Sequence, residues 1–514
     1  MRPIVLTVDI GTQSLRAVLV DTEGNLLNMV QDRFEKPYFS PQPNWAEQRA
    51  DFYWERLCKA CRKLRDESGE LWQRLKGVSV TTIRDSIICL DKKGIPLRSM
   101  ILWLDKRKTE HKKKLPLLDR LIYLVAGMKK PTEMIREISA VNWIREYEPE
   151  IWEKADKIVL LSTYIHFKLC GKLIDSTARV MSHLPYDNKK RRWMKKGELN
   201  YVLFPVEPEK LCELVEPGDI LGEISQTAAS ESGIPAGLPL VATGSDKGCE
   251  TLGLGCTSPE KLALSFGTIA TAQRTCAKYV ESQRYFPAYV SPLKGHYNPE
   301  VEVYRGYWLI SWFIKEFAEK EQKEALEKGV SAEEILNERL REIPPGCDGL
   351  IFQPYFTPGV SMPVARGAIT GFSDFHTRIH IYRSIIEGIN FALMDGINEF
   401  ERRTGMRSKE LYLAGGGSQS SEICQITADM FGLPAYRTQT HEASSIGSAM
   451  VTFTALGYFE NMDEALAKMV HIRDVFMPDM ENHALYAKLY REVFTHIFAK
   501  LQPLYSKLGH IMEA

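Results

Sequence analysis

The chain has 514 residues, 44% hydrophobic and 26% charged, which suits a folded protein of two large or three smaller domains and excludes a disordered or fibrous one. Lys+Arg and Asp+Glu are equal at 66 each, so no whole-protein charge draws it to nucleic acid or an anionic membrane, and a small-molecule partner is expected. The N-terminal stretch lacks a long apolar signal core and no run reaches the roughly 18 apolar residues of a membrane span, so a cytoplasmic protein is expected.

A β-meander opens the chain: strand 4–8, a tight turn at Gly11-Thr12, strand 17–20, a polar turn at Thr22-Glu23-Gly24-Asn25, and a third apolar run to Val30. A helical stretch over 52–64 carries Cys58 and Cys61, the one C-x-x-C pair among ten cysteines. No second pair lies near it, so buried free thiols are expected rather than zinc or redox chemistry. Strands follow at 77–82 and 86–90, the latter closed by Asp91-Lys92-Lys93-Gly94, and then a helical middle over 106–214.

Strand 261–266 runs into Gly267-Thr268 and repeats the opening strand-Gly-Thr unit, which suggests two related halves with a boundary near 253–259. Farther on, Ile381, Ile385, Ile389, Ala392, Leu393, Gly396 and Phe400 share one face of a long helix. Strand 411–413 leads into Gly415-Gly416-Gly417 and a helix over 421–431, and the tail from Asp463 reads as helical. Strand-rich ends around a helical insert imply the α/β class.

Asp9-Ile10-Gly11-Thr12-Gln13-Ser14-Leu15-Arg16 sets an acid, a flexible turn, two hydroxyls and a cation at a strand exit. Gly11 lets the backbone approach a phosphate, Thr12 and Ser14 can donate to it, Arg16 can face its oxygens, and Asp9 can hold Mg²⁺ directly or through water. A plain hairpin turn would use the same residues. Ser265-Phe266-Gly267-Thr268 offers a second such turn, and Ala414-Gly415-Gly416-Gly417-Ser418 a third that enters a helix N-terminus. Neither a Walker-type loop nor a protein-kinase H-R-D or D-F-G set is present, so phosphate binding must use another fold.

The ordered set of these turns with Asn44-Trp45-Ala46-Glu47-Gln48, Trp103-Leu104-Asp105-Lys106-Arg107, Gly244-Ser245-Asp246, Ala365-Arg366-Gly367, Glu387-Gly388 and Glu442-Ala443-Ser444-Ser445-Ile446-Gly447 resembles the FGGY carbohydrate kinase family over nearly the whole chain. The resemblance implies two ribonuclease-H-like (actin/hexokinase-like) α/β domains with a cleft between them, plus helical insertions. It implies an N-terminal domain over 1–254 for sugar and phosphate loop, a C-terminal nucleotide domain over 255–456, and a helical segment over 457–514 packing on the core. ATP and Mg²⁺ are the implied cofactors, a small sugar or polyol the partner, and a homodimer is consistent with the family.

By the same resemblance, Gly11, Thr12, Gln13, Ser14 and Arg16 face the phosphates, Gly267 and Thr268 the γ-phosphate side, and Gly415, Gly416 and Ser418 the adenine and α-phosphate side, with Asp9 at the metal. Asp246 is the implied general base; from the residues alone, a helix N-cap would serve equally. Arg84-Asp85 stands where xylulose-kinase-like members usually show Met-His and looks more like the Arg-Glu of glycerol and autoinducer-2 kinases, a pair able to bind vicinal hydroxyls. Lys247-Gly248 replaces the usual Gln-Gln of glycerol kinases; Lys247 can favour the ionised form of Asp246, bind an acidic or heavily oxygenated substrate, or point away. Asp105 is a candidate hydroxyl acceptor and Trp103 a candidate apolar wall for sugar carbons. Two readings stay open beside a sugar or polyol kinase: an autoinducer-2-like dihydroxyketone kinase, and a sugar-sensing ATPase of the same fold.

Overall fold

The strand Ile4–Ile10 (β1) sorts its side chains by parity: Ile4, Leu6, Val8 and Ile10 join one apolar cluster and Val5 another. That alternation is what a strand buried on both faces requires. The computed structural model describes residues 2–110, 114–181, 183–283, 286–357, 359 and 362–513. They divide into two compact units, one of Met1–Gly253, Tyr289–Tyr297 and Ala443–Val470, the other of Leu254–Ala288, Asn298–Glu442 and His471–Ala514. The units are interleaved in sequence, whereas the sequence reading drew its boundaries at single points.

In the first unit, β1 pairs antiparallel with β2 (Ser14–Asp21), which pairs antiparallel with β3 (Leu26–Arg33). Then β4 (Leu75–Thr82) lies parallel to β1, and beyond it β5 (Ile220–Glu223) and β6 (Pro239–Val241) complete the order β5-β6-β4-β1-β2-β3. One face is covered by helix Ala50–Ser68 through Leu57, Cys61 and Leu64. The other is covered by helix Ala443–Ala455 through Ile446, Met450 and Phe453. Each fully buried aliphatic or aromatic side chain contributes about 1.5–3 kcal/mol.

Helix Ala443–Ala455 belongs here because it meets helix Asp246–Gly253 backbone to backbone. A Cβ at Gly253 would overlap the carbonyl of Ala443, and one at Gly447 would overlap that of Cys249. Segment 289–297 joins the same unit where Pro292 covers Gly244, at which a Cβ would stand 2.9 Å from the proline ring.

The second unit repeats the plan. Strands β7 (Lys261–Phe266), β8 (Ala270–Gln273) and β9 (Glu300–Val303) form an antiparallel meander, and β10 (Glu410–Ala414) and β11 (Ala435–Thr438) add in parallel to β7. An antiparallel edge strand, β12 (Ile472–Phe476), completes the order β9-β8-β7-β10-β11-β12. Helix Arg378–Thr404 packs its Ile385, Ile389 and Leu393 into this core beside Leu262, Leu264 and Phe266.

Two expectations are corrected. The tail is not wholly helical: β12 intervenes, and its Arg473 and Asp474 hide it from an apolar-alternation reading. Charges are how an edge strand avoids further pairing, and Asp474 also accepts from Arg437 Nε on β11 at 2.7 Å. The middle over 106–214 also contains strands Lys157–Leu160 and Ile174–Ser176 among its helices.

Candidate active site

In the first unit, β1 and β2 turn tightly at 11–13, where Gly11 N–H donates to Ser14 C=O at 2.9 Å. Gln13 is exposed and its carbonyl accepts from Phe34 N–H at 2.8 Å, which ties the turn to the end of β3. Asp9 and Arg16 are register partners, with Arg16 Nη1 3.9 Å from Asp9 Oδ2. The other Asp9 oxygen accepts from Thr81 Oγ1 at 2.6 Å. Thr12 offers its hydroxyl at the tip and accepts from Trp103 Nε1 at 2.9 Å. Trp103, read as an apolar wall, thus also braces the phosphate-type turn.

The loop carrying Trp103 is held by an ionic knot. Arg107 donates from Nε to Asp105 Oδ1 and from Nη2 to Asp105 Oδ2, both at 2.8 Å, and from Nη2 to Glu47 at 2.7 Å. Ala46 N–H donates to Asp105 Oδ2 at 2.6 Å, and the guanidinium lies 3.8 Å from the Trp45 ring centroid. The Asp105 side chain is 3% exposed. Its expected part as a sugar-hydroxyl acceptor therefore gives way to a structural one, joining the 44–48 and 103–107 motifs.

Asp246 opens helix Asp246–Gly253. The capping role belongs instead to Ser245, whose Oγ accepts from Gly248 N–H at 3.1 Å. Asp246 is left in the first turn, where the helix dipole favours a carboxylate. Its Oδ1 is buried, accepts no hydrogen bond among the described residues, and lies 3.9 Å from Arg84 Nε. Arg84 also stands over the Tyr289 ring, 5.8 Å from its centroid. Lys247 turns to Glu250 at 3.0 Å. Burial works against its charge, yet Glu250 and then Asp246 outweigh that and hold the ammonium above its ordinary pKa.

Asp85 does not present an open carboxylate beside Arg84. It sits at a left-handed φ of 48° and pairs with His183, whose Nδ1 is 2.6 Å from Oδ2 and whose backbone N–H donates to Oδ1 at 3.0 Å. Burial disfavours both charges, but the pair wins: the imidazole pKa is raised and the carboxyl pKa lowered. His183 and Tyr289 escaped the sequence reading because both lie about a hundred residues or more from the motifs they serve.

In the second unit, Gly267 and Thr268 follow β7, and Gly267 C=O accepts from Tyr307 N–H at 3.0 Å. The Gly-rich turn after β10 passes close over β7: Gly415 has φ 80°, and a Cβ there would stand 2.7 Å from the Phe266 carbonyl carbon. Gly416 faces open space. Ser418 is buried, and its Oγ donates back to Gly415 C=O at 2.8 Å. The hydroxyl of Ser418, a residue expected on the adenine and α-phosphate side, is thus spent on shaping the turn.

Asp9 is the one acid of the phosphate-type turn, and no cluster of three metal-binding side chains occurs among the described residues. Such a donor set fits Mg²⁺, which takes one or two carboxylates and completes its shell with phosphates and water. No helix among the described residues is long and apolar enough to cross a membrane.

Comparison with known proteins gives these turns a family. The model of the FGGY family of carbohydrate kinases matches with its N-terminal domain over residues 4–253 and its C-terminal domain over 262–456. The xylulose kinase of Lactococcus lactis is 27% identical over 496 residues, 95% of each chain. A gluconokinase of Bacillus licheniformis is 24% identical over 519 residues, covering 100% of this chain and 97% of its own. The crystal structure of xylulose kinase from Rhodospirillum rubrum superposes with a TM-score of 0.81 at 24% identity, covering 98% of this chain and 100% of that one. With both domain models matched in order along most of its length, the chain belongs to the FGGY family of carbohydrate kinases.

Proposed function

We propose that this carbohydrate kinase transfers the γ-phosphoryl group of ATP to a hydroxyl of a small sugar, sugar acid or polyol, with Asp246 as general base. The observation that carries the reading is the Asp246 carboxylate itself: placed at a helix N-terminus, beside Arg84, with one oxygen not spent on any donor among the described residues. An ionised carboxylate there can accept the proton of a bound hydroxyl as that oxygen bonds to the γ-phosphorus and the bond to the β,γ-bridging oxygen breaks, leaving ADP.

Arg84 orients the substrate oxygens and Trp103 covers one side. Thr12, Ser14 and Arg16 attend the transferred phosphoryl group, while Gly267, Thr268, Gly415 and Gly416 bring backbone N–H groups to the nucleotide phosphates. Asp9 would hold Mg²⁺, which when bound neutralises phosphate charge. Relatives named for xylulose and gluconate direct attention to ketoses and sugar acids.

The test is ADP release with MgATP against a panel of ketoses, polyols and sugar acids, with Asp246→Asn alongside. One compound should raise turnover by orders of magnitude in the wild type alone. Turnover that no compound raises, or that survives in Asp246→Asn, would overturn the assignment.

A further inference from the structure

Arg179 ends the short turn Thr177–Arg179 in the first unit, and the residue is 3% exposed. Its Nη2 donates to Thr243 Oγ1 at 3.1 Å, while Nε and Nη1 have no hydrogen-bond partner among the described residues. A buried guanidinium with two unspent donors is expensive to keep and calls for nearby negative charge.

Burial weighs most against its charge and lowers its pKa, opposed first by Asp175 and less by Asp246 and Asp9. Asp175 is already consumed, accepting from Ser162 Oγ at 2.5 Å, Thr163 Oγ1 at 2.7 Å and its neighbour Ser176 N–H at 2.8 Å. Asp246 and Asp9, the two acids of the proposed reaction, are the other carboxylates that favour its charge. The turn is also joined to the loop bearing Asp246 through the backbone, since Ser245 N–H donates to Ala178 C=O at 3.1 Å. Thr243, which holds the guanidinium, is in turn reached by Ser448 Oγ at 3.5 Å, itself 2.8 Å from Ser79 Oγ. Arg179 is thus anchored on Thr243, in the loop that leads to Asp246.

We propose that Arg179 is a positioning residue for phosphoryl transfer: anchored by Thr243, it holds the loop that carries Asp246 and offsets part of the negative charge of Asp246 and Asp9. The inference rests on the kinase reading above. Arg84, 3.9 Å from Asp246, stands beside Tyr289, and Lys247 is shared with Glu250, so neither holds the 243–246 loop from within as Arg179 does through Thr243.

The experiment compares wild type, Arg179→Met, Arg179→Lys, Asp246→Asn and the Arg179→Met/Asp246→Asn double variant, using steady-state kinetics on the sugar found active and thermal unfolding. Arg179→Met should lower kcat about 10- to 100-fold with KM for sugar and ATP changed less than about threefold. Its Tm should not fall, because a costly buried charge is removed. Arg179→Lys should recover most of the kcat, and the double variant should be no slower than Asp246→Asn alone.

An unchanged kcat, or a loss tracking a fallen Tm, overturns the inference and leaves the kinase reading standing, as does a further loss in the double variant. If Arg179→Met does not fold, Arg179→Lys decides: wild-type Tm with kcat down more than about 100-fold rules out a role for the charge. A wild type that turns over no sugar, or an active Asp246→Asn, overturns both.

Discussion

Asp105 and Asp246 each follow a strand through a short turn, and each is a candidate for gripping a sugar hydroxyl, yet the structure uses them oppositely. Both oxygens of Asp105 are taken, by Arg107 and by the Ala46 N–H, and its side chain is 3% exposed. Asp246 leaves Oδ1 without a donor among the described residues, while Ser245 takes over the capping that would have consumed its carboxylate. A carboxylate becomes available for proton transfer when the fold satisfies the surrounding backbone with other groups. Proximity to a motif does not decide it.

Removing the base gives the largest effect. Asp246→Asn keeps the shape and a hydrogen-bonding oxygen but cannot accept the proton, so kcat should fall about 10²–10⁴-fold with the melting temperature held. The converse substitution attacks the scaffold. Arg107→Met would leave Glu47 and Asp105 buried with one cation fewer, and should cost about 3–5 kcal/mol in denaturant unfolding. What folded enzyme remains should keep kcat within a few-fold. If instead Arg107→Met abolished turnover at wild-type stability, the division between a spent and an available carboxylate would fail.

The next effect tests what holds Asp246 in place. Gly447→Ala puts a methyl group into the Cys249 carbonyl, so helix Asp246–Gly253 must shift away from helix Ala443–Ala455. Overpacking of this kind costs about 1–3 kcal/mol, and it should lower kcat as well because Asp246 rides on the displaced helix. Gly405→Ala, at a helix end where a Cβ meets nothing within 4 Å, is the control for conformational cost alone.

Much of this was legible in the sequence. The opening meander and its repeat after residue 261 are short apolar runs bounded by Gly and polar turns, and the helix expected over 421–431 spans Ser421–Phe431, between a capping Ser420 and a left-handed Gly432. The turns at Gly11 and Gly415 were legible because a close backbone approach needs glycine. Interleaving of the units was not, because the contact of Gly253 with the 443–447 backbone joins residues far apart in the chain. For the same reason the fates of Asp105 and Asp85 could not be read, since the distant Ala46 and His183 decide them, while Ser418 turns back to the nearby Gly415 carbonyl, a side-chain direction that residue type alone does not give. Arg179 looked like one more cation in a helical middle, and only its burial singles it out.

The smallest effect concerns Asp85, which lies between the two extremes, paired on one side and adjacent to Arg84 on the other. The raised imidazole pKa means that the His183 contribution is fully present below the unfolded value near 6.5 and is lost as pH rises through the folded value. The lowered carboxyl pKa means that the Asp85 contribution is present above its unfolded value and is lost as pH falls through the folded one. The pair therefore stabilises between the carboxyl range and the raised imidazole pKa. His183→Gln should cost about 1 kcal/mol at pH 6, as for a partly exposed ion pair, and the deficit should shrink as pH rises beyond the imidazole titration. Sugar KM measured on the same variant gives the pair its function. An unchanged KM would place Asp85 with Asp105 as scaffold; a changed KM at constant kcat would place it with Arg84, its carboxylate shared between His183 and the bound sugar.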